Sequence, residues 1–217
     1  MWKMCQNGEV KMKKHMLDLF SGFGGASEAF YQDENWSVLR IENNPLLSGV
    51  PRTVIDDVKN LQPQNYGNMW YNVDRKKIDV IWASPPCKDF SNGYNSPKSV
   101  HSREHGLESY EPDMSLLTAA LDIIEIVKPK YWIIENVVGS IRYFREFLGE
   151  PRQIIGPYVL WGNFPLLNVD NFELRAKSKK DVHSSNPLRA NYKAKVDFEI
   201  SSSLKDAIEN QKSIFEY

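Results

Sequence analysis

Residues 17–30 read LDLFSGFGGASEAF. The apolar stretch HMLDLF, 15–20, runs into Gly22, Gly24 and Gly25, and a helical pattern starts over Ala26 to Tyr31. Strand, glycine turn and helix in that order is the general arrangement for holding a nucleotide. Glycines let the backbone come close to a ligand, and a helix amino end favours negative charge. A plain left-handed turn needs the same glycines, so the rest of the chain has to decide between the two readings.

Working outward, Ser37 to Ile41 reads as a second strand ending at Glu42. Val54 and Ile55 form a weak third, followed by Asp56-Asp57, and Ile78 to Ala83 a fourth, bounded by Pro85. Leu116, Leu117, Ala120, Ile123, Ile124 and Val127 recur at helical spacing and predict a helix over 113–127, which Pro129 ends. Tyr131 to Ile134 is a fifth strand, ending at Glu135. Strands alternating with helices predict an α/β fold with a mainly parallel sheet covered on both faces. Ligands of such sheets bind beyond the carboxyl ends of the strands. After Gly149 the pattern weakens: one more strand within 156–167, loop over 168–195, and a closing helix over 201–212.

The bulk composition narrows the class. With 217 residues, 41% hydrophobic and 25% charged, the chain can build one α/β domain with a core. No apolar run approaches the ~20 residues of a membrane span. The start, MWKMCQNGEVKMKKHM, lacks the apolar stretch of a secretory signal, and Met12 offers a second start that leaves residues 1–11 open. Two distant cysteines, Cys5 and Cys87, argue against a disulfide scaffold and for a reducing compartment. The expected location is the cytoplasm, of a bacterium or of a phage's host. Net charge is -1, yet residues 175–195 hold seven basic side chains against Asp181 alone. Such a segment binds a polyanion or is a solvated loop.

Three constellations carry chemistry. Glu42, about 20 residues past the glycine turn, is placed to accept hydrogen bonds from ribose hydroxyls. NAD and S-adenosylmethionine both fit that pattern. Asp18 favours the second, since a carboxylate in the first loop pairs with an amino-acid end and repels a pyrophosphate. The next constellation is Ser84-Pro85-Pro86-Cys87. A lone cysteine is usually a small buried hydrophobe. On a strand-end turn beside a cofactor loop it is open to ligand, the prolines fix where the sulfur points, and a thiolate there is a nucleophile. The third, IIENVVG at 133–139, delivers Glu135 and Asn136 to the same sheet edge. A simple turn or cap competes with the reading as a carboxylic acid, kept protonated by burial, that bonds the ring edge of a base. His101-Ser102-Arg103-Glu104-His105 spaces two histidines four apart, but the glutamate is misplaced for a zinc motif and no third ligand is suggested. No metal is expected, and phosphate contact is the favoured role.

In this order, Asp18-Leu19-Phe20-Ser21-Gly22-Phe23-Gly24-Gly25, Ser84-Pro85-Pro86-Cys87 and Glu135-Asn136-Val137 resemble motifs of the DNA cytosine-5 methyltransferases, over roughly residues 15–139. The resemblance implies a Rossmann-like class I S-adenosylmethionine-dependent methyltransferase fold. It directs Asp18, Leu19, Phe20, Ser21, Gly22, Gly24, Gly25, Glu42, Asn43, Asp57, Val58, Ser84 and Pro85 to the cofactor. It makes Cys87 the nucleophile at C6 of cytosine and sets Glu135 on N3 and the exocyclic amine. Residues 88–106 become a mobile loop closing on a flipped base. Pro86, Asn136, Arg142, Arg175, Lys179 and Lys180 are expected toward the DNA.

The family's Gln-x-Arg-x-Arg stretch has only a degraded counterpart in residues 150–156, where Arg152 is the candidate for the base O2 and Arg142 its rival. About 60 residues follow Gly156, little room for a recognition domain. The expected division is a catalytic domain over 12–156, a reduced basic substrate-contact segment over 157–200 and a closing helix over 201–217. Target specificity is then short, or comes from a homodimer or a partner protein. Three other readings remain open: the same chemistry on RNA, a catalytically weak protective factor that binds DNA or a restriction protein, and an NAD oxidoreductase, which leaves Cys87 unexplained.

Overall fold

The computed structural model describes residues 13–61, 78–169, 173, 178–179 and 181–211. Cys5, Arg175 and Lys180 lie outside them. Four strands with nearly continuous apolar sequence form the middle of one sheet: β1 (Lys14–Leu19), β2 (Trp36–Glu42), β4 (Ile78–Ala83) and β5 (Tyr131–Asn136). β7 (Tyr158–Asn163) and two short edge strands, β3 (Thr53–Ile55) and β6 (Gln153–Ile155), complete it, in the order β3-β2-β1-β4-β5-β7-β6. All pairings are parallel except those of β7, which runs against both β5 and β6. This is the Rossmann-like methyltransferase topology that the resemblance implies.

Both faces of the sheet are covered, which is why its central strands are apolar on both sides. On one face Phe30 of α1 (Glu28–Tyr31) and Ile200, Leu204 and Ile208 of α6 (Phe198–Glu209) pack on Met16, Val80, Trp82 and Leu160. On the other, Leu117, Ala120 and Ile123 of α3 (Ser115–Val127) and Phe144 of α4 (Ile141–Leu148) pack on Leu17, Ile81, Ile134 and Trp161. Two further helices lie at the carboxyl edge: α2 (Pro97–His105), and α5 (Arg189–Ala194), which returns to the glycine turn. Among the described residues no helix is long and apolar enough to cross a membrane.

The second half differs from its sequence reading. The single strand expected in 156–167 is one arm of a hairpin, β6–β7, turned at Gly156 with φ 54°. Gly162 interrupts the apolar pattern of β7 because a Cβ there would stand 2.0 Å from the Trp132 carbonyl oxygen. The boundary expected between 156 and 157 therefore falls inside a hairpin, and β7 belongs to the catalytic sheet. The closing helix starts at Phe198, after Asp197, instead of at Ser201. Ser201 lies inside α6 and ties it to α1, donating to the Ala26 carbonyl at 2.7 Å and accepting from the Ala29 amide at 3.0 Å. Within 88–106, expected as loop, Pro97 and Ser96 start α2, with the Ser96 hydroxyl accepting from the Ser99 amide.

Candidate active site

The strand order reverses between β1 and β4, so their carboxyl ends open a crevice there. Leu19 is level with Ala83, and the Ser84 amide donates to the Leu19 carbonyl at 3.3 Å. The glycine turn thus lies directly beside the proline-cysteine turn.

Local geometry explains the composition of the first turn. Phe20 sits at φ 58°, a left-handed conformation that costs a non-glycine residue about 1–2 kcal/mol. Gly22 follows at φ 53° with open space where its side chain would project. Gly24 and Gly25 are needed for close approach. A Cβ on Gly24 would fall 2.4 Å from the Arg40 guanidinium, and one on Gly25 would fall 2.3 Å from the Val196 carbonyl oxygen. Glu42, at the end of β2, accepts the Gly22 amide on one carboxylate oxygen at 2.8 Å and the Asn44 amide on the other at 2.9 Å. Both contacts lock its carboxylate against the turn while leaving lone pairs for a ligand. The Ser21 hydroxyl is buried and makes no hydrogen bond among the described residues. A buried orphan hydroxyl, an anchored carboxylate and a glycine facing open space are a donor and acceptor set suited to a polar nucleoside ligand.

The other expected cofactor residues divide into support and surface. Asp18 points into the sheet–helix layer at 1% exposure, where the Ser27 hydroxyl donates to it at 2.6 Å. Arg40 in turn donates to Ser27 at 2.8 Å and to the Gly24 carbonyl at 3.2 Å, and pairs with Glu28 at 3.0 Å. Asp18 is therefore part of the foundation of the turn, because alternation along β1 turns it away from the crevice. Leu19 and Val58 are core side chains. Asp57 is half-buried and accepts the Lys59 amide, and Asn43 is exposed. Sequence reading missed Arg40, Ser27 and α5. An arginine inside the apolar VLRIE of β2 was the available signal for the first. Tyr192 of α5 covers Phe23 with ring centroids 4.4 Å apart, and Asn191 accepts from Asn44 at 3.3 Å, contacts that no periodicity foreshadows.

The second half of the site lies at β4 and β5. The Cys87 carbonyl accepts from both the Phe90 and Ser91 amides, at 3.1 and 3.0 Å, which closes a tight turn behind the half-buried thiol. Burial first, and the Glu135 charge second, push that thiol above its ordinary value. Glu135 is one residue past the level of Ala83. Burial pushes its carboxyl up to about 7, opposed by a hydrogen bond from Ser84, whose hydroxyl also accepts the Trp82 indole N–H at 2.7 Å. Asn136 is a strut: at 1% exposure it donates to the Pro85 carbonyl at 2.9 Å and accepts the Val137 amide at 2.9 Å. Pro85 is buried and Pro86 exposed at the tip.

The expected basic contacts are not gathered here. Arg152 donates to the Phe164 carbonyl at 2.6 Å, and Phe164 follows β7 at the amino ends of the parallel strands. Arg152 is thus two strands from Glu135, its backbone level with the end of β5 but its guanidinium held at the Phe164 carbonyl. Arg142 makes a forked pair with Glu108 at 3.1 and 2.5 Å on the surface. Lys179 is exposed, and Arg175 and Lys180 fall outside the described residues. His101 and His105 lie on α2, where His101 meets the Ser109 hydroxyl at 2.9 Å. Among the described residues no three metal-ligating side chains converge.

Buried Asp18 and half-buried Glu135 predict a pH response. Asp18 is raised to about 6 by burial, and Glu135 to about 7. Both folded values exceed the unfolded ones, so between about pH 4 and 7 the folded chain binds protons that the unfolded chain releases. Stability is therefore lost as pH rises through that window, by about 3 kcal/mol for Asp18 alone. Urea unfolding should show a higher midpoint at pH 5.5 than at pH 8, and Asp18→Asn should reduce the difference, leaving the part due to Glu135. A lower midpoint at pH 5.5 would contradict the burial of these acids.

The chain is similar in sequence to known proteins. The sequence pattern described as C-5 cytosine-specific DNA methylase matches residues 14–143, which contain all three motif regions. A probable DNA (cytosine-5)-methyltransferase of Frog virus 3 is 33% identical over 158 residues, 68% of this chain and 65% of that protein. The type II methyltransferase M.DdeI of Desulfomicrobium norvegicum is 26% identical over 160 residues, 65% of this chain and 34% of that protein. A solved methyltransferase of Entamoeba histolytica, EhMeth, superposes with a TM-score of 0.44 at 15% identity, covering 75% of this chain and 56% of that one. The chain spans just under two thirds of the length of the viral relative and about a third of M.DdeI. With the pattern matched over more than half of its residues, the chain belongs to the C-5 cytosine-specific DNA methylase family.

Proposed function

We propose that the protein transfers a methyl group from S-adenosylmethionine to C5 of cytosine in DNA, with Cys87 as nucleophile and Glu135 as acid. The observation that carries this reading is the pairing of a thiol and a raised carboxyl at the adjoining ends of β4 and β5, next to the glycine turn of β1. Membership of a DNA methylase family and the names of the viral and M.DdeI relatives support DNA as the substrate.

Glu42, the Ser21 hydroxyl and the Gly22 backbone would hold the cofactor, which supplies an electrophilic methyl group on a sulfonium. C5 of cytosine is too poor a nucleophile to take that methyl unaided. Cys87 thiolate adds to C6, forming a C6–S bond and pushing electron density through the ring to C5 and N3. Glu135 donates its proton to N3, so the charge does not accumulate in the ring. Once C5 carries the methyl group, loss of its hydrogen as a proton to a base restores the double bond and expels the thiolate. Burial suits Glu135 to this role, because it keeps a carboxylic acid protonated near pH 7.

Glu42→Ala should weaken S-adenosylmethionine binding at least about tenfold, since charge-assisted hydrogen bonds are worth roughly 1.5–3 kcal/mol each. Glu42→Gln, which retains one acceptor, should lose less. Titration calorimetry measures both, and an unchanged affinity in Glu42→Ala would move the cofactor elsewhere.

With β7 drawn into the sheet, the chain between Asn163 and Phe198 is left for reading DNA. Its basic side chains, Lys179, Arg189 and Lys193 among them, suit phosphate contacts, which bind without specifying sequence. Target specificity is accordingly short, or a second copy or partner protein supplies it. Incubation with labelled S-adenosylmethionine and a panel of DNA and RNA tests the reaction, and bisulfite sequencing of the methylated DNA reads the site. Label entering RNA and not DNA would overturn the substrate.

A further inference from the structure

The turn that carries Cys87 is held from two sides. On one, Asn136 grips the Pro85 carbonyl. On the other, Lys98, in the first turn of α2, donates its ammonium to the Phe90 carbonyl at 2.7 Å and to the Asn92 side-chain oxygen at 2.6 Å. Lys98 is only 7% exposed, and its salt bridges to carboxylates number none among the described residues. Desolvation, and then the Arg142 charge, push its pKa down. A buried ammonium on two neutral acceptors is an expensive way to gain stability. What it does fix is geometry. The Phe90 and Ser91 amides both close on the Cys87 carbonyl, so residues 87–91 form one tight unit. Anchoring the Phe90 carbonyl anchors the thiol.

The surface against which this unit sits is Gly139, three residues past Asn136. A Cβ at Gly139 would stand 2.1 Å from the Phe90 carbonyl oxygen, 2.8 Å from the Lys98 ammonium and 3.2 Å from the Asn92 oxygen. No left-handed φ accounts for this glycine, which is absent from the positive-φ residues. Space for the clamp accounts for it. Phe90 itself plugs into the core against Phe144, with ring centroids 5.0 Å apart.

We infer that Lys98 and Gly139 are positioning residues for Cys87: together they seat the Cys87–Ser91 turn on the strand edge that bears Glu135. The effect on methyl transfer rests on the function proposed above, but the seating of the thiol does not, and the experiment separates the two. In a Cys5→Ser background, Cys87 is the one remaining thiol. Its alkylation by iodoacetamide at fixed pH is measured beside methyl transfer to DNA and S-adenosylmethionine affinity. In Lys98→Met, loss of the clamp should speed alkylation roughly fivefold as the thiol leaves its half-buried seat. It should lower kcat by roughly ten- to a hundredfold, the cost of a misplaced reactive group. KM for DNA and cofactor affinity should stay near their original values, a split that general loosening of the fold would not produce. Gly139→Ala should do the same by pushing the turn off its seat, and it carries the test if Lys98→Met fails to fold. Folded variants with unchanged alkylation and unchanged kcat would overturn the inference. Faster alkylation in the variants, where neither they nor the original protein methylates DNA, would uphold the positioning role and sink the proposed function instead.

Discussion

Cys87→Ser should fold, bind S-adenosylmethionine with the original affinity and lose methyl transfer by a factor on the order of 10⁴–10⁶, the loss typical of removing an essential nucleophile. The substitution changes one atom in a half-buried turn held by backbone hydrogen bonds, so unfolding temperature should move little. What it removes is the thiolate, since a serine hydroxyl is not deprotonated at usable pH without a dedicated base. DNA carrying 5-fluorocytosine supplies the complementary test. Fluorine cannot depart from C5 as a proton does, so the C6–S bond persists, and intact mass measurement should find protein linked to DNA. Absence of that adduct under conditions where ordinary DNA is methylated would eliminate attack by Cys87. Persistence of the adduct in Cys87→Ser would point to a different nucleophile.

Glu135→Gln should lower kcat by about 10²–10⁴, the usual worth of a positioned acid, with a smaller effect on KM. The amide still bonds the base edge but has no proton to give N3. The pH profile carries a sharper signature. With a carboxyl near 7 and a thiol above its ordinary value, the reactive form holds the proton on Glu135 and not on Cys87. That form appears once one proton has left the pair, so kcat/KM should rise through about pH 7 and then stay level until the thiol titrates. In Glu135→Gln the rise near 7 should vanish. Because the Glu135 charge is one of the causes holding the thiol up, Glu135→Gln should also speed alkylation of Cys87 at pH 8. Unchanged alkylation there would mean that the two groups do not sense each other.

Sequence alone carried the catalytic half of the fold because its signals are local. Glycine spacing, apolar strands ending in single carboxylates and the helical period of residues 116–127 each follow from backbone physics over a few residues. Glu42 and Glu135 were legible as strand-end acids for that reason. The inward facing of Asp18 was not legible, because it depends on Ser27 and Arg40 coming together from outside β1. The partner of Arg152 was not legible either, because a degraded motif was matched by position, whereas the β6–β7 hairpin turns its side chain to the Phe164 carbonyl. The clamp of Lys98 on Gly139 joins residues 41 positions apart through a backbone carbonyl, and no pattern of residue types encodes such a contact.

The four-residue helix α1, which follows the glycine turn, is too short to hold itself and leans on α6. Ser201 bonds its backbone, Glu209 accepts the Trp36 indole at 2.7 Å, and Lys205 reaches Asp33 at 2.7 Å. Ile200, Leu204 and Ile208 bury against the same side of the sheet, each worth about 1.5–3 kcal/mol. The order of synthesis runs the other way: the motif made first is completed by the helix made later. On the ribosome the cofactor turn therefore stays unfinished until residues near 209 have emerged, and a chain stopped short of them carries every sequence motif without a formed site.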